Sequence, residues 1–91
     1  MIRKAVAGDI EEIARIYRDA YSEEPYFDKW NLDFLIPELK NELGEREFRV
    51  AEVDGKIAGV IIYYLYNWQD GKAAYIRDLA VSERFRRNGI A

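Results

Sequence analysis

The chain has 91 residues, 49% of them hydrophobic, and a net charge of -3. That is enough apolar material for one core, too little length for two domains, and too hydrophobic for a disordered chain. With no His, no Cys and no Thr, the sequence excludes a Ser-His-Asp triad, a Cys–His nucleophile and a zinc site built on His or Cys.

Carboxylates, Tyr, Ser, Lys and backbone groups remain as chemical tools. That set favours a reaction in which a cofactor carries the activated group and the protein supplies placement. The start, Met1 to Ile13, scatters charge through a stretch without an apolar block, which is unlike a signal peptide. The longest apolar run, Ile57 to Tyr66, falls far short of the roughly 20 residues that span a bilayer. The expectation is a soluble, cytoplasmic protein with no membrane partner, and the lack of cysteine fits a reducing compartment. Charge is unevenly spread: residues 77–91 carry +2 and the preceding residues carry -5. A small basic end on an acidic body suits a small anionic ligand and argues against a nucleic-acid partner, which calls for a wider basic face.

In chain order, Ile2 to Val6 reads as a short strand. Asp9 reads as an N-cap, with Glu12 completing a capping box. Apolar residues at Ile10, Ile13, Ala14, Ile16, Tyr17, Ala20 and Tyr21 then predict an amphipathic helix over 10–21. Ser22 to Trp30 breaks the pattern with Pro25 and mixes acids with aromatics. A second helix is predicted over 32–43, capped by Asn31 and stopped by Gly44. Pro37 either kinks it or starts its main part. Strands are predicted at 48–53, 57–66 and 73–81. Asp54-Gly55 is the hairpin turn between the first two, and Asn67 to Lys72 a polar turn before the third.

The stretch Tyr75 to Ala91 carries the chemistry. A strand runs into a basic, glycine-containing turn. At the start of a helix such a turn aims several N–H groups at one point and holds phosphate oxygens. Gly89 would let the backbone approach the ligand, and Arg84, Arg86 and Arg87 would add a favourable field. Taken alone, this pattern is more often a solvated turn.

The wider sequence resembles the GNAT superfamily of acetyl-coenzyme-A-dependent N-acetyltransferases. That family carries a pyrophosphate-binding signature, Gln/Arg-x-x-Gly-x-Gly/Ala, after a strand that often ends in a Leu-Ala-Val-like triplet. Here Arg86-Arg87-Asn88-Gly89-Ile90-Ala91 follows Leu79-Ala80-Val81. The hairpin Asp54 to Gly59 and the opening Ile2-Arg3 through Asp9 also resemble the family's. The resemblance implies an α/β (α+β) fold with a mixed, mostly antiparallel sheet, in the order strand-helix-helix-strand-strand-strand. It also implies that residues 1–91 are one incomplete domain, ending before the cofactor helix, and that the 91-residue chain by itself is inactive.

The family's site carries over residue by residue. Main-chain groups of Leu79, Ala80 and Val81 would pair with the pantetheine arm of acetyl-coenzyme A, beside a bulge in the same strand. Main-chain N–H groups of Arg86, Arg87, Asn88, Gly89, Ile90 and Ala91 would hold the pyrophosphate. Asp78 would take a proton from an attacking amine, or else pair with a nearby Arg. Glu24, Tyr26, Phe27 and Trp30 would meet the amine acceptor, a small molecule or peptide, or else pack the loop onto the sheet. The general acid would lie beyond residue 91. An open strand edge leads to an expectation of self-association. The alternative reading is a non-catalytic binding module that uses that edge and the basic turn.

Overall fold

A computed structural model describes residues 1–88, with side chains described through Phe85. Its elements are β1 (Ile2–Lys4), α1 (Ile10–Tyr21), α2 (Leu32–Leu43), β2 (Glu47–Val53), β3 (Lys56–Trp68) and β4 (Gly71–Val81). Short 3-10 turns lie at Ala7–Asp9 and Glu83–Asn88. The sheet runs β1-β2-β3-β4 with every neighbouring pair antiparallel. This is the predicted order, with both helices in the connection between β1 and β2.

The core follows from periodicity. Ile10, Ile13, Ala14, Ile16 and Tyr17 fall on one side of α1, and Leu35 and Leu39 on one side of α2. They cluster with Phe48, Val50, Val60, Ile62 and Ala80 from the sheet. Alternate residues of a strand face opposite ways, so these positions define one covered face. Arg49, Ala51, Ile61, Leu79 and Val81 line a groove of about 150 Å³ on the other. Each fully buried Ile or Leu contributes on the order of 1.5–3 kcal/mol of apolar burial.

Several boundaries differ from the sequence expectation. β1 ends at Lys4 because the Val6 N–H donates to the Asp9 carboxylate and leaves the ladder. Asp9 makes no side-chain cap bond at α1. Its two oxygens are occupied by Arg3, at 2.8 and 3.0 Å. Glu12 does not close a capping box either; Glu12 Oε1 accepts the Ile57 N–H at 3.2 Å. Ile57 lies beside a register shift in the β2–β3 ladder, where Ala51 faces Gly59 but Glu52 faces Ile57. Asn31 does cap α2, accepting from the Asp33 N–H, and Pro37 sits inside one continuous helix. Gly44 follows α2 with a φ of -82°, so it serves without a left-handed conformation.

The Asp54-Gly55 hairpin is as predicted, with φ of 52° and 76°; both central residues of a type I′ turn need positive φ. The Asn67 to Lys72 turn is shorter than expected. Asn67 pairs with Lys72 and Trp68 with Gly71, which leaves Gln69 and Asp70 as the turn. Polarity alone misled here, because β-ladder pairing needs only backbone groups. The hairpin therefore extends past the helices, and Tyr64, Leu65, Tyr66, Trp68, Tyr75 and Ile76 are exposed on it.

Candidate active site

The site is built on an irregularity in β4. Ile61 faces Leu79 and Ile62 faces Asp78, but Tyr63 faces Ile76. Arg77 is thus an extra residue, a β-bulge, and a bulge re-aims side chains. In a regular strand Arg77 and Asp78 would point to opposite faces. Here both contact the helices. Asp78 reaches α1, where Oδ1 accepts from Tyr17 Oη at 3.3 Å and from Tyr21 Oη at 3.2 Å. Asp78 Oδ2 accepts from Arg77 Nε at 2.7 Å. The terminal nitrogens of Arg77 donate to both carboxylate oxygens of Glu42 on α2. The network therefore ties β4 to both helices.

Burial and charge set the protonation of this network. Burial, reinforced by the negative Asp78, pushes the Tyr21 phenol up to about 12. The same two causes raise Tyr17 further. Both phenols are neutral at physiological pH and act as donors to Asp78. The Glu42 contact, followed by Asp78, holds the Arg77 guanidinium firmly charged against the opposing cost of burial. The side chain of Asp78 is only 11% exposed.

Two clefts flank the network. One, of about 340 Å³, lies between the end of α1 and the end of β4 and is lined by Ala20, Tyr21, Glu23, Glu24, Tyr26, Leu79, Ala80 and Val81. The other, of about 210 Å³, lies between α2 and β4 and includes Tyr17, Trp30, Phe34, Glu38, Glu42 and Arg77. Asp78 lines neither; Tyr21 stands between it and the first cleft and Tyr17 between it and the second. The groove on the other sheet face has Arg49 as its one polar side chain among the described residues, and these offer no nucleophile or base there.

The loop after α1 folds back on itself to reach the first cleft. The Asp28 N–H donates to the Tyr21 carbonyl at 2.7 Å, and the N–H groups of Tyr26 and Phe27 donate to Glu23. Tyr26 packs edge-on against Tyr21, with ring centroids 4.8 Å apart.

Leu79, Ala80, Val81, Glu24 and Tyr26, expected from the sequence to serve the cofactor and the acceptor, therefore meet in one cleft. Trp30 lies elsewhere. It packs on the core, edge-on to Tyr17 and stacked on Phe34. Its buried indole N–H has no partner among the described residues. Phe27 is 66% exposed and does not line the cleft. Arg86, Arg87 and Asn88 lie in the turn after β4, while Gly89, Ile90 and Ala91 lie outside the described residues.

Sequence reasoning missed Tyr17, Tyr21, Arg77 and Glu42. The signal was present: two tyrosines four residues apart on the apolar face of α1 need partners for their hydroxyls when buried, and Asp78 is an acid within an otherwise core-forming strand end. Gly59 was also missed as a packing site. A Cβ there would stand 3.2 Å from the Ala80 carbonyl oxygen, so β4 lies close over this position.

A model of the acetyltransferase (GNAT) family matches residues 10–91. The chain belongs to the GNAT acetyltransferase family. Solved structures agree on the GNAT fold. A possible acetyltransferase from Clostridium difficile 630 superposes with a TM-score of 0.83 at 25% identity, over 99% of this chain and 62% of that one. A predicted acetyltransferase with acetyl-CoA from Clostridium acetobutylicum gives a TM-score of 0.62 at 21% identity, over 99% of this chain and 64% of its own. An aminoglycoside acetyltransferase from an uncultured soil metagenomic sample, in complex with sisomicin, gives 0.66 at 23% identity, over 99% of this chain and 60% of its own. The GNAT chain thus spans about three-fifths of the length of these neighbours. No curated protein matches it by sequence. Among the described residues, no helix is long and apolar enough to cross a membrane.

Proposed function

We propose that the native gene product carrying this chain transfers an acetyl group from acetyl-coenzyme A to a primary amine, by direct attack of the amine. The observation that carries this reading is the first cleft, where the strand Leu79–Val81 and the acidic loop Glu23–Tyr26 face each other. The residues fit the donor. β4 is the last strand of the sheet among the described residues, so an extended amide-bearing arm would lie along its outer side. The bulge at Arg77 turns the strand just before Leu79.

Acetyl-coenzyme A, when bound, supplies an activated thioester carbonyl. This chain's part is placement. Leu79, Ala80 and Val81 would hold the pantetheine arm through main-chain groups, and Arg86 to Ala91 the pyrophosphate. Glu24 and Tyr26 would meet the acceptor, since a carboxylate and an aromatic face both attract an ammonium group. Charge is sorted accordingly: acids sit in the loop after α1, arginines in the turn after β4. Holding two reactants in register is worth about 7–11 kcal/mol of barrier in favourable cases, which suits a site without a nucleophile of its own. Asp78 would be the final proton store. Tyr17, Tyr21 and Arg77 hold and orient this carboxylate.

The test is calorimetric titration of acetyl-coenzyme A into the native gene product, together with thiol release in the presence of polyamines, aminoglycosides, amino acids and peptide N-termini. Saturable binding and amine-dependent thiol release are expected. Binding of coenzyme A without acetyl transfer to any amine, or no binding, would overturn the reading.

A further inference from the structure

We infer that the Tyr21 hydroxyl is the group that meets the acceptor amine and passes its proton inward to Asp78. The inference rests on the acetyl-transfer reading above and deepens it. Asp78 does not line the cleft that holds Leu79, Ala80 and Val81, whereas Tyr21 does. The Tyr21 hydroxyl donates to Asp78 Oδ1 at 3.2 Å and is met by the Leu79 backbone N–H, so a donor arriving from the cleft would use the remaining lone pair of the oxygen or take the place of that N–H. A base that cannot be touched directly can still act through one intervening hydroxyl, as it can through one water.

The ring is held in place for this task. Tyr21 packs on Tyr17 with centroids 4.6 Å apart and on Tyr26 at 4.8 Å. The groups around its hydroxyl are the Leu79 N–H and Asp78 on β4 with Arg77 behind it, Tyr17 on α1, and Glu42 of α2 behind Arg77. Glu23, Glu24 and Tyr26 lie across the cleft. Among the described residues, no positive side chain lines that cleft to repel an ammonium ion.

The step balances. An N–H bond of the ammonium breaks as an O–H bond forms on Tyr21, while the original Tyr21 O–H bond breaks and a new one forms at Asp78 Oδ1. Tyr21 is neutral before and after, and the negative charge of Asp78 and the positive charge of the ammonium cancel. The free amine then attacks the thioester carbonyl. Nitrogen gives up a second proton on becoming an amide. One of the two protons goes to the leaving sulfur, and Asp78 can return its own by the same path. The other goes to solvent.

Tyr17 reaches the same carboxylate oxygen from the opposite cleft, which supplies the control. In the native gene product, Tyr21→Phe keeps the ring and removes only the hydroxyl. It should lower kcat by about 10²-fold at neutral pH, the usual worth of a positioned proton-transfer group. The loss should shrink as pH rises toward the amine's own pKa, and acetyl-coenzyme A affinity by calorimetry should stay within about twofold. Tyr21→Phe combined with Asp78→Asn should be no worse than the more damaging single change, as for groups acting as one unit. Tyr17→Phe should cost much less than Tyr21→Phe. By phenol absorbance, the Tyr21 ionisation near pH 12 should move down in Asp78→Asn. Equal losses in the two phenylalanine variants, a Tyr21→Phe enzyme as fast as wild type, or one that has lost acetyl-coenzyme A affinity would each overturn the relay while leaving acetyl transfer standing. A wild-type protein that binds no acetyl-coenzyme A would overturn both.

Discussion

The Asp9 carboxylate binds Arg3 through both oxygens and takes the Val6 N–H as well. The Arg3 contact, aided by the Val6 N–H, holds the Asp9 carboxyl below its ordinary value despite its partial burial. A carboxylate depressed in the folded state stabilises fully above its unfolded pKa of about 3.9 and loses that contribution as pH falls through the lower folded value. Asp9→Asn should therefore lower stability at neutral pH and flatten the acid limb of the stability curve below about pH 4. Urea unfolding of both proteins from pH 7 to pH 2 checks this; parallel acid limbs would contradict it. Asp78 illustrates what a sequence does and does not tell at this scale. Its strand and its acidity marked it as a base or as a partner for a nearby arginine. The structure gives it the arginine, Arg77, and two tyrosines besides. Those tyrosines were read as apolar-face residues of α1, because periodicity sees the ring and is blind to where a hydroxyl finds its acceptor.

At the scale of elements, β4 depends on β3 beneath it. Gly59 faces Val81 in the ladder, and an added Cβ would press on the Ala80 carbonyl at 3.2 Å. Gly59→Ala should destabilise the fold by about 1–3 kcal/mol, as overpacking does. It should also weaken acetyl-coenzyme A binding, because the displaced carbonyl belongs to the strand proposed to hold the pantetheine arm. Chemical denaturation and calorimetry read the two effects separately; a variant with wild-type stability and affinity would show that β4 yields freely. Helix positions were legible because hydrophobic spacing over twelve residues is a strong signal, and α1 and α2 fall where it places them. The Asp54-Gly55 turn was legible because few dipeptides tolerate two positive φ values. The bulge at Arg77 and the shift beside Ile57 were not. A bulge is one extra residue in a pairing register, and register exists only once two strands have met. The family resemblance led to an expected bulge in β4, but not to its location or to the side chains that it turns together.

Over the whole molecule, the two halves of the proposed reaction come from distant parts of the chain. The acceptor side is a loop near residue 25, and the donor side is a strand end near residue 80; the sheet order brings β4 to the edge under the end of α1. The loop after α1 supplies acids to this cleft and arginines follow β4 in the sequence, a separation that would draw an ammonium group and a phosphorylated donor to different ends of the proposed site. This is consistent with the unequal charge along the sequence, where an acidic body carries a basic end. The claim that β4 receives the donor along its outer side has a direct test in amide hydrogen exchange of the native gene product, with and without saturating coenzyme A. Backbone N–H groups that gain a hydrogen-bond partner or are covered from water exchange more slowly. The account predicts that coenzyme A slows exchange across Leu79, Ala80 and Val81 and in the turn that follows, with β1 and β2 little changed. Exchange at Leu79 to Val81 that is indifferent to bound coenzyme A would contradict it.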